Sequence, residues 1–221
     1  PYFSKYGLKT VSVGHPIAEG LDAYVKKDDN EKIITLVPGS RVSEVKKLLP
    51  VFQQTVDMLV RCGYKDYNFV IPTVETTDEY IKNNVKNWRV KPKIVSAKER
   101  YDIYANTYIA IVASGTVSAE LAIMHIPTIV VYKMNPLTTL LAHILLRVKW
   151  ASLVNILMNK TIFPELLGKN ANLCAILNCV QQLSLPSVRA KMISELKKAD
   201  GIWKHGNKNP SALIAQDILS D

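Results

Sequence analysis

Paired histidines, closely spaced cysteines and long unbroken apolar runs are all missing from this 221-residue chain. The most apolar stretch, Leu137 to Leu157, is interrupted by His143, Arg147, Lys149 and Asn155, whereas a bilayer-spanning helix needs roughly 20 apolar residues. The histidines, His15, His125, His143 and His205, show neither H-x-x-x-H nor H-E-x-x-H spacing, so no zinc site is expected. Cys62, Cys174 and Cys179 are odd in number and lack C-x-x-C spacing; they predict a reduced, cytoplasmic compartment, with all three as small buried apolar groups. No G-x-S-x-G elbow is present, the glycine loop at position 39 lacks the lysine of a P-loop, and there is no D-x-D pair to hold a divalent metal. The opening Pro1-Tyr2-Phe3-Ser4-Lys5 is short and polar, which predicts no signal peptide. The missing initiator methionine suggests a piece of a longer chain.

What is present is an ordinary globular composition, 48% hydrophobic and 21% charged, which excludes a disordered or disulfide-scaffold protein. Lys plus Arg number 28 against 19 Asp plus Glu, a formal charge of +9. Such a surplus favours anionic partners: phosphates, nucleic acid or an acidic membrane surface. No basic stripe interleaved with aromatics supports nucleic acid.

Pattern along the chain divides it into an interdomain lead-in and hinge (1–30), an α/β body (31–170) and helical C-terminal segments (171–221). Val11 to Val13 suits a short strand, Gly14-His15-Pro16 a turn, and Lys26 to Asn30 a charged hinge. Apolar strands are then predicted at 32–37, 68–74, 93–97, 108–113 and 127–132. Helices are predicted at 43–62, from 75 to about 87, at 99–106 and from 116 to 125. Continuous apolar strands alternating with helices predict a doubly wound parallel sheet, Rossmann-like, buried on both faces. From about Ala171 the chain reads as helix only, with breaks at Pro186 and around Gly206. Leu137 to Trp150 suits either a helix packed on the sheet or one lying on an anionic membrane.

Ligands in an open parallel sheet bind at the carboxyl ends of the strands. Two strand-to-helix corners there have suitable chemistry. In Pro38-Gly39-Ser40-Arg41, Gly39 admits close backbone approach, Ser40 adds a hydroxyl, and Arg41 can grip a phosphate with two bonds. The same tetrapeptide also suits a plain tight turn with a helix cap. Ser114-Gly115-Thr116 offers amides and hydroxyls, and Glu120, one turn on, can accept from ribose hydroxyls. Glu120 equally suits an acid that merely complements the helix dipole.

Thr35-Leu36-Val37-Pro38-Gly39-Ser40-Arg41 with Glu44 and Leu48-Leu49-Pro50, and Ala113 to Glu120 with Pro127, Val131, Tyr132 and Lys133, resemble segments of the lipid-A-disaccharide synthase family. Val13-Gly14-His15-Pro16, Ser152 to Leu157 and Pro164 to Leu167 resemble it too, in the same order along the chain. The chain departs at Ser12, where the family has an aromatic, and at Gly168, where it has glutamine. The resemblance implies the C-terminal, sugar-nucleotide half of a GT-B type glycosyltransferase whose other half supplies the acceptor pocket, the membrane-binding surface and the base. It implies that UDP-2,3-diacylglucosamine donates its sugar to 2,3-diacylglucosamine 1-phosphate, peripherally on the inner membrane of a Gram-negative bacterium. The donor site implied comprises Gly39, Ser40, Arg41, Ser114, Gly115, Thr116, Glu120, Asn155 and Glu165, with Arg41 also serving catalysis and no metal cofactor. Other enzymes of this type that handle UDP-N-acetylglucosamine, and a non-enzymatic basic binding module, remain alternatives.

Overall fold

A computed structural model describes residues 6–7, 10, 13–25, 32–133, 150–203 and 209–220. Residues 11–12 of the first expected strand, the hinge 26–30, residues 137–149 of the apolar segment and Gly206 lie outside the described residues.

The expected alternation is present. Strands β1 (Ile33–Val37), β2 (Asn68–Pro72), β3 (Lys93–Val95), β4 (Thr107–Ala113) and β5 (Thr128–Tyr132) are joined by helices α1 (Val42–Arg61), α2 (Glu75–Val85), α3 (Arg100–Ala105) and α4 (Thr116–Ile123). A sixth strand, β6 (Glu165–Leu167), follows the short α5 (Leu153–Leu157). All neighbouring strands are parallel, in the order β3-β2-β1-β4-β5-β6. The fold is therefore a doubly wound, Rossmann-like α/β sheet, as its apolar strands predict. Strand β6 was not among the expected strands.

Successive crossovers run outward from β1 toward β3, then outward from β4 toward β6. Right-handed connections consequently place the two sets of helices on opposite faces. α2 and α6 (Leu173–Leu183) pack beside α1, while α5 and α7 (Pro186–Lys198) pack beside α4. Helix α1 turns Val45, Leu48, Leu49, Phe52, Val56 and Leu59 inward, with Phe52, Val56 and Leu59 fully buried, each contributing about 1.5–3 kcal/mol of burial. Pro50 sits on its exposed face, where water can take the carbonyl that the missing N–H leaves free.

One hydrophobic core runs through the whole assembly. Ala18 and Leu21 of the lead-in join it, as do Ile176, Val180, Leu183, Leu196 and Trp203 of the later helices. The cysteines expected inside it are not buried: Cys62 and Cys174 are exposed, and Cys179 is half-buried at its margin. The break expected at Pro186 is present: α6 ends at Leu183 and Pro186 opens α7 at its first position, where a proline has no N–H to lose. The following α8 (Asp200–Trp203) is tied back to the lead-in by the His15 amide, which donates to the Trp203 carbonyl at 2.9 Å. The last helix is α9 (Pro210–Ser220). Among the described residues no helix is long and apolar enough to cross a membrane.

Candidate functional site: a cleft at the switch point of the sheet

The connections reverse direction between β1 and β4, which opens a crevice beyond their carboxyl ends. Both expected corners stand there. Gly39, Ser40 and Arg41, leaving β1, and Ser114, Gly115 and Thr116, leaving β4, line a single cleft of about 410 Å³. That volume lies in the range of about 300–1,000 Å³ usual for small-molecule sites.

Each corner ends in an open helix terminus. Neither Arg41, at the N-cap of α1, nor Gly115, at that of α4, makes a side-chain capping bond. The first turns of both helices thus lack a side-chain cap, and both dipoles favour an anion at these ends.

Position 39 requires glycine. Its φ is +111°, and a Cβ there would stand 2.5 Å from Glu44 Oε2 and 3.1 Å from Glu44 Cβ. Glu44 accepts in turn from Arg41 Nη1 at 3.0 Å, so the carboxylate lies under the loop and holds the arginine at the rim. The Arg41 side chain is 78% exposed. Thr76 Oγ1 donates to the Ser40 carbonyl at 2.9 Å and fixes the loop from α2.

Glu120 lines the opposite wall. Its Oε1 accepts from Tyr101 Oη at 3.2 Å and lies 3.8 Å from Arg100 Nη2. Burial works against the Arg100 charge, but the Tyr101 hydroxyl and the Glu120 carboxylate outweigh it and raise the guanidinium pKa. Tyr104 also lines the cleft. Burial, and then the Glu120 charge, raise its phenol well above the usual range and keep it neutral.

Arg100, Tyr104, Glu44 and Thr73 belong to the cleft wall but were not among the expected site residues. Glu44 had a signal, since it belongs to the motif of the first corner. The α3 residues had none beyond an amphipathic pattern.

Asn155 and Glu165 are not in the cleft lining. Asn155 is fully buried. Its Oδ1 accepts from the amides of Ile162 and Phe163 at 2.8 and 3.0 Å, and its Nδ2 donates to the Phe163 carbonyl and Glu165 Oε1 at 2.8 and 2.7 Å. Glu165 additionally accepts from the amides of Ala151 and Ser152 and from the Ser152 hydroxyl, at 2.6, 2.9 and 2.7 Å. Both side chains are thus engaged in an internal network, which fixes the start of α5. It reaches the cleft indirectly, because Ser114 Oγ donates to the Ala151 carbonyl at 3.4 Å.

A family model described as lipid-A-disaccharide synthetase matches residues 1–214. The chain belongs to this family. The lipid-A-disaccharide synthase of Paramagnetospirillum magneticum is 38% identical, over 99% of this chain and 59% of that protein. Those of Rhodospirillum centenum and Rickettsia canadensis are 33% and 32% identical over 100% of the chain. The chain spans 57% and 60% of their respective lengths. Among solved structures, MurG of Acinetobacter baumannii superimposes on 97% of the family member described here with a TM-score of 0.59 at 12% identity, over 57% of the MurG chain. A UDP-GlcNAc 2-epimerase from Neisseria meningitidis, bound to UDP-GlcNAc, covers 92% of it with a TM-score of 0.53 at 13% identity, over 48% of the epimerase chain. At such identities these two likenesses establish the fold.

Proposed function

We propose that the chain is the donor-binding half of a lipid-A-disaccharide synthase. In this role it holds UDP-2,3-diacylglucosamine while the sugar passes to 2,3-diacylglucosamine 1-phosphate, giving the β-1,6-linked disaccharide 1-phosphate and UDP. The carrying observation is the single cleft shared by the two glycine corners, joined to membership of the family. As the glycosidic bond to UDP breaks, negative charge gathers on the diphosphate. Amide dipoles fixed before the reaction then stabilise that charge without reorganising. The amides around Gly39 and Ser40, the Ser114-Gly115-Thr116 corner and the Arg41 guanidinium take this part, and Glu120 accepts from the ribose hydroxyls. Asn155 and Glu165 support the donor site from behind through Ala151 and Ser114. No divalent metal is required, since helix termini and arginine provide the positive charge. The preceding half supplies the acceptor pocket and the base. The charge of +9 suits an anionic inner leaflet, where each nearby Lys or Arg contributes about 1 kcal/mol, and so a peripheral seat on the cytoplasmic face.

The test supplies the chain, joined to its amino-terminal half, with acylated and unacylated UDP-glucosamine donors. Release of UDP with formation of the disaccharide from the acylated donor is expected. Turnover of the unacylated donor alone would assign the site to another UDP-sugar enzyme. In the same assay Glu120→Ala is expected to raise KM for the donor about tenfold or more, the cost of a charged hydrogen-bond partner.

A further inference from the structure

Between Arg100 and Glu120 stands the hydroxyl of Tyr101, and its position has a consequence for the site. Arg100 Nη2 donates to Tyr101 Oη at 2.6 Å, and Tyr101 Oη donates onward to Glu120 Oε1 at 3.2 Å. The direct Arg100–Glu120 separation is 3.8 Å, too long for a hydrogen bond. Both contacts fall on Oε1, which leaves Oε2 without a hydrogen bond among the described residues. The Tyr101 ring is held on several sides. The Arg100 guanidinium lies 4.4 Å from its centroid, the Tyr24 ring of the lead-in 5.4 Å and the Tyr104 ring 6.1 Å.

We propose that Tyr101 is a positioning residue: it spaces Arg100 from Glu120, and so keeps one carboxylate oxygen open to the vicinal hydroxyls of a ligand's ribose. The proposal rests on the nucleotide reading of this cleft and deepens it. Without the hydroxyl, nothing separates guanidinium from carboxylate. They close into a direct two-point pair, and Glu120 turns its free oxygen away from the ligand. Arg100 changes from a support into a competitor.

The experiment measures the affinities of UDP and of 2′,3′-dideoxy-UDP for the purified chain by calorimetry. The wild type is expected to prefer UDP. Tyr101→Phe keeps the ring packing, and is expected to cut that preference about tenfold while leaving dideoxy-UDP within about twofold, as expected for loss of one hydrogen bond to a charged group. Adding Arg100→Gln to Tyr101→Phe removes the competitor and is expected to restore part of the preference, which a merely structural role for Tyr101 would not do. An unchanged preference in Tyr101→Phe, an equal loss for both ligands, or no recovery in the double variant would each overturn the proposal. A wild type that binds neither ligand, or does not tell them apart, would remove the nucleotide reading itself.

Discussion

Asn155→Ala is expected to lose on the order of 3–5 kcal/mol of stability, because it strands the buried amides of Ile162 and Phe163 at about 1–3 kcal/mol each and takes a donor from Glu165. The asparagine is fully buried and all of its hydrogen-bonding atoms are engaged within the chain. A domain with a total stability of about 5–15 kcal/mol would be left close to its threshold. Asn155→Asp should fare no better despite its shape, since it sets a second carboxylate where Nδ2 now stands 2.7 Å from Glu165 Oε1. Urea unfolding of the two variants against the wild type measures the effect. A midpoint that does not move, with UDP binding abolished, would place the amide on the ligand and contradict its role as an internal strut.

Arg41→Ala should do the reverse. The side chain is largely exposed and its bridge to Glu44 lies at the surface, a type worth about 0–1 kcal/mol, so the unfolding midpoint should hardly shift. UDP affinity should fall by about 1.5–3 kcal/mol, roughly ten- to a hundred-fold, as one charge-assisted contact to the diphosphate disappears. Arg41→Lys should recover only part of it, because an ammonium cannot make the two-point contact. Calorimetric titration with UDP at fixed ionic strength decides this, and unaltered affinity in Arg41→Ala would remove the arginine from the site. The two variants therefore separate what binds the ligand from what holds the binder in place.

The two corners were legible in the sequence for a physical reason. An anion cradle of backbone amides needs glycine and small hydroxyl residues at a strand-to-helix junction, and Pro38 to Arg41 and Ser114 to Thr116 have that form whatever surrounds them. Their meeting in one cleft followed from the apolar strands, which impose a parallel sheet. The third wall was not legible. Strand β3 lies at one edge and β4 inside the sheet, so the crossover between them carries α3 across to the switch point. Arg100, Tyr101 and Tyr104 reach Glu120 only through that connection. Locally they look like the face of any short amphipathic helix.

Asn155 and Glu165 illustrate a different limit. The motifs single out both polar residues, but a hydrogen-bonding side chain serves a ligand and a neighbouring backbone equally well. Only the pairing of Val130 with Glu165 and of Val131 with Leu166, through a three-residue strand, puts the carboxylate beneath Ala151 and Ser152. Pro186 is similar: its fixed φ ends one helix or begins the next, and the Leu183–Pro186 spacing does not say which.

The most direct measurement is a titration of UDP into the isotopically labelled chain, followed by the backbone amide resonances. The amides of Gly39, Ser40, Ser114, Gly115 and Thr116 should shift together along one saturation curve, because one diphosphate bridges both helix termini. Saturable shifts confined to one corner or to some other surface, or no saturable shift at all, would mean that the crevice between β1 and β4 does not cradle the nucleotide.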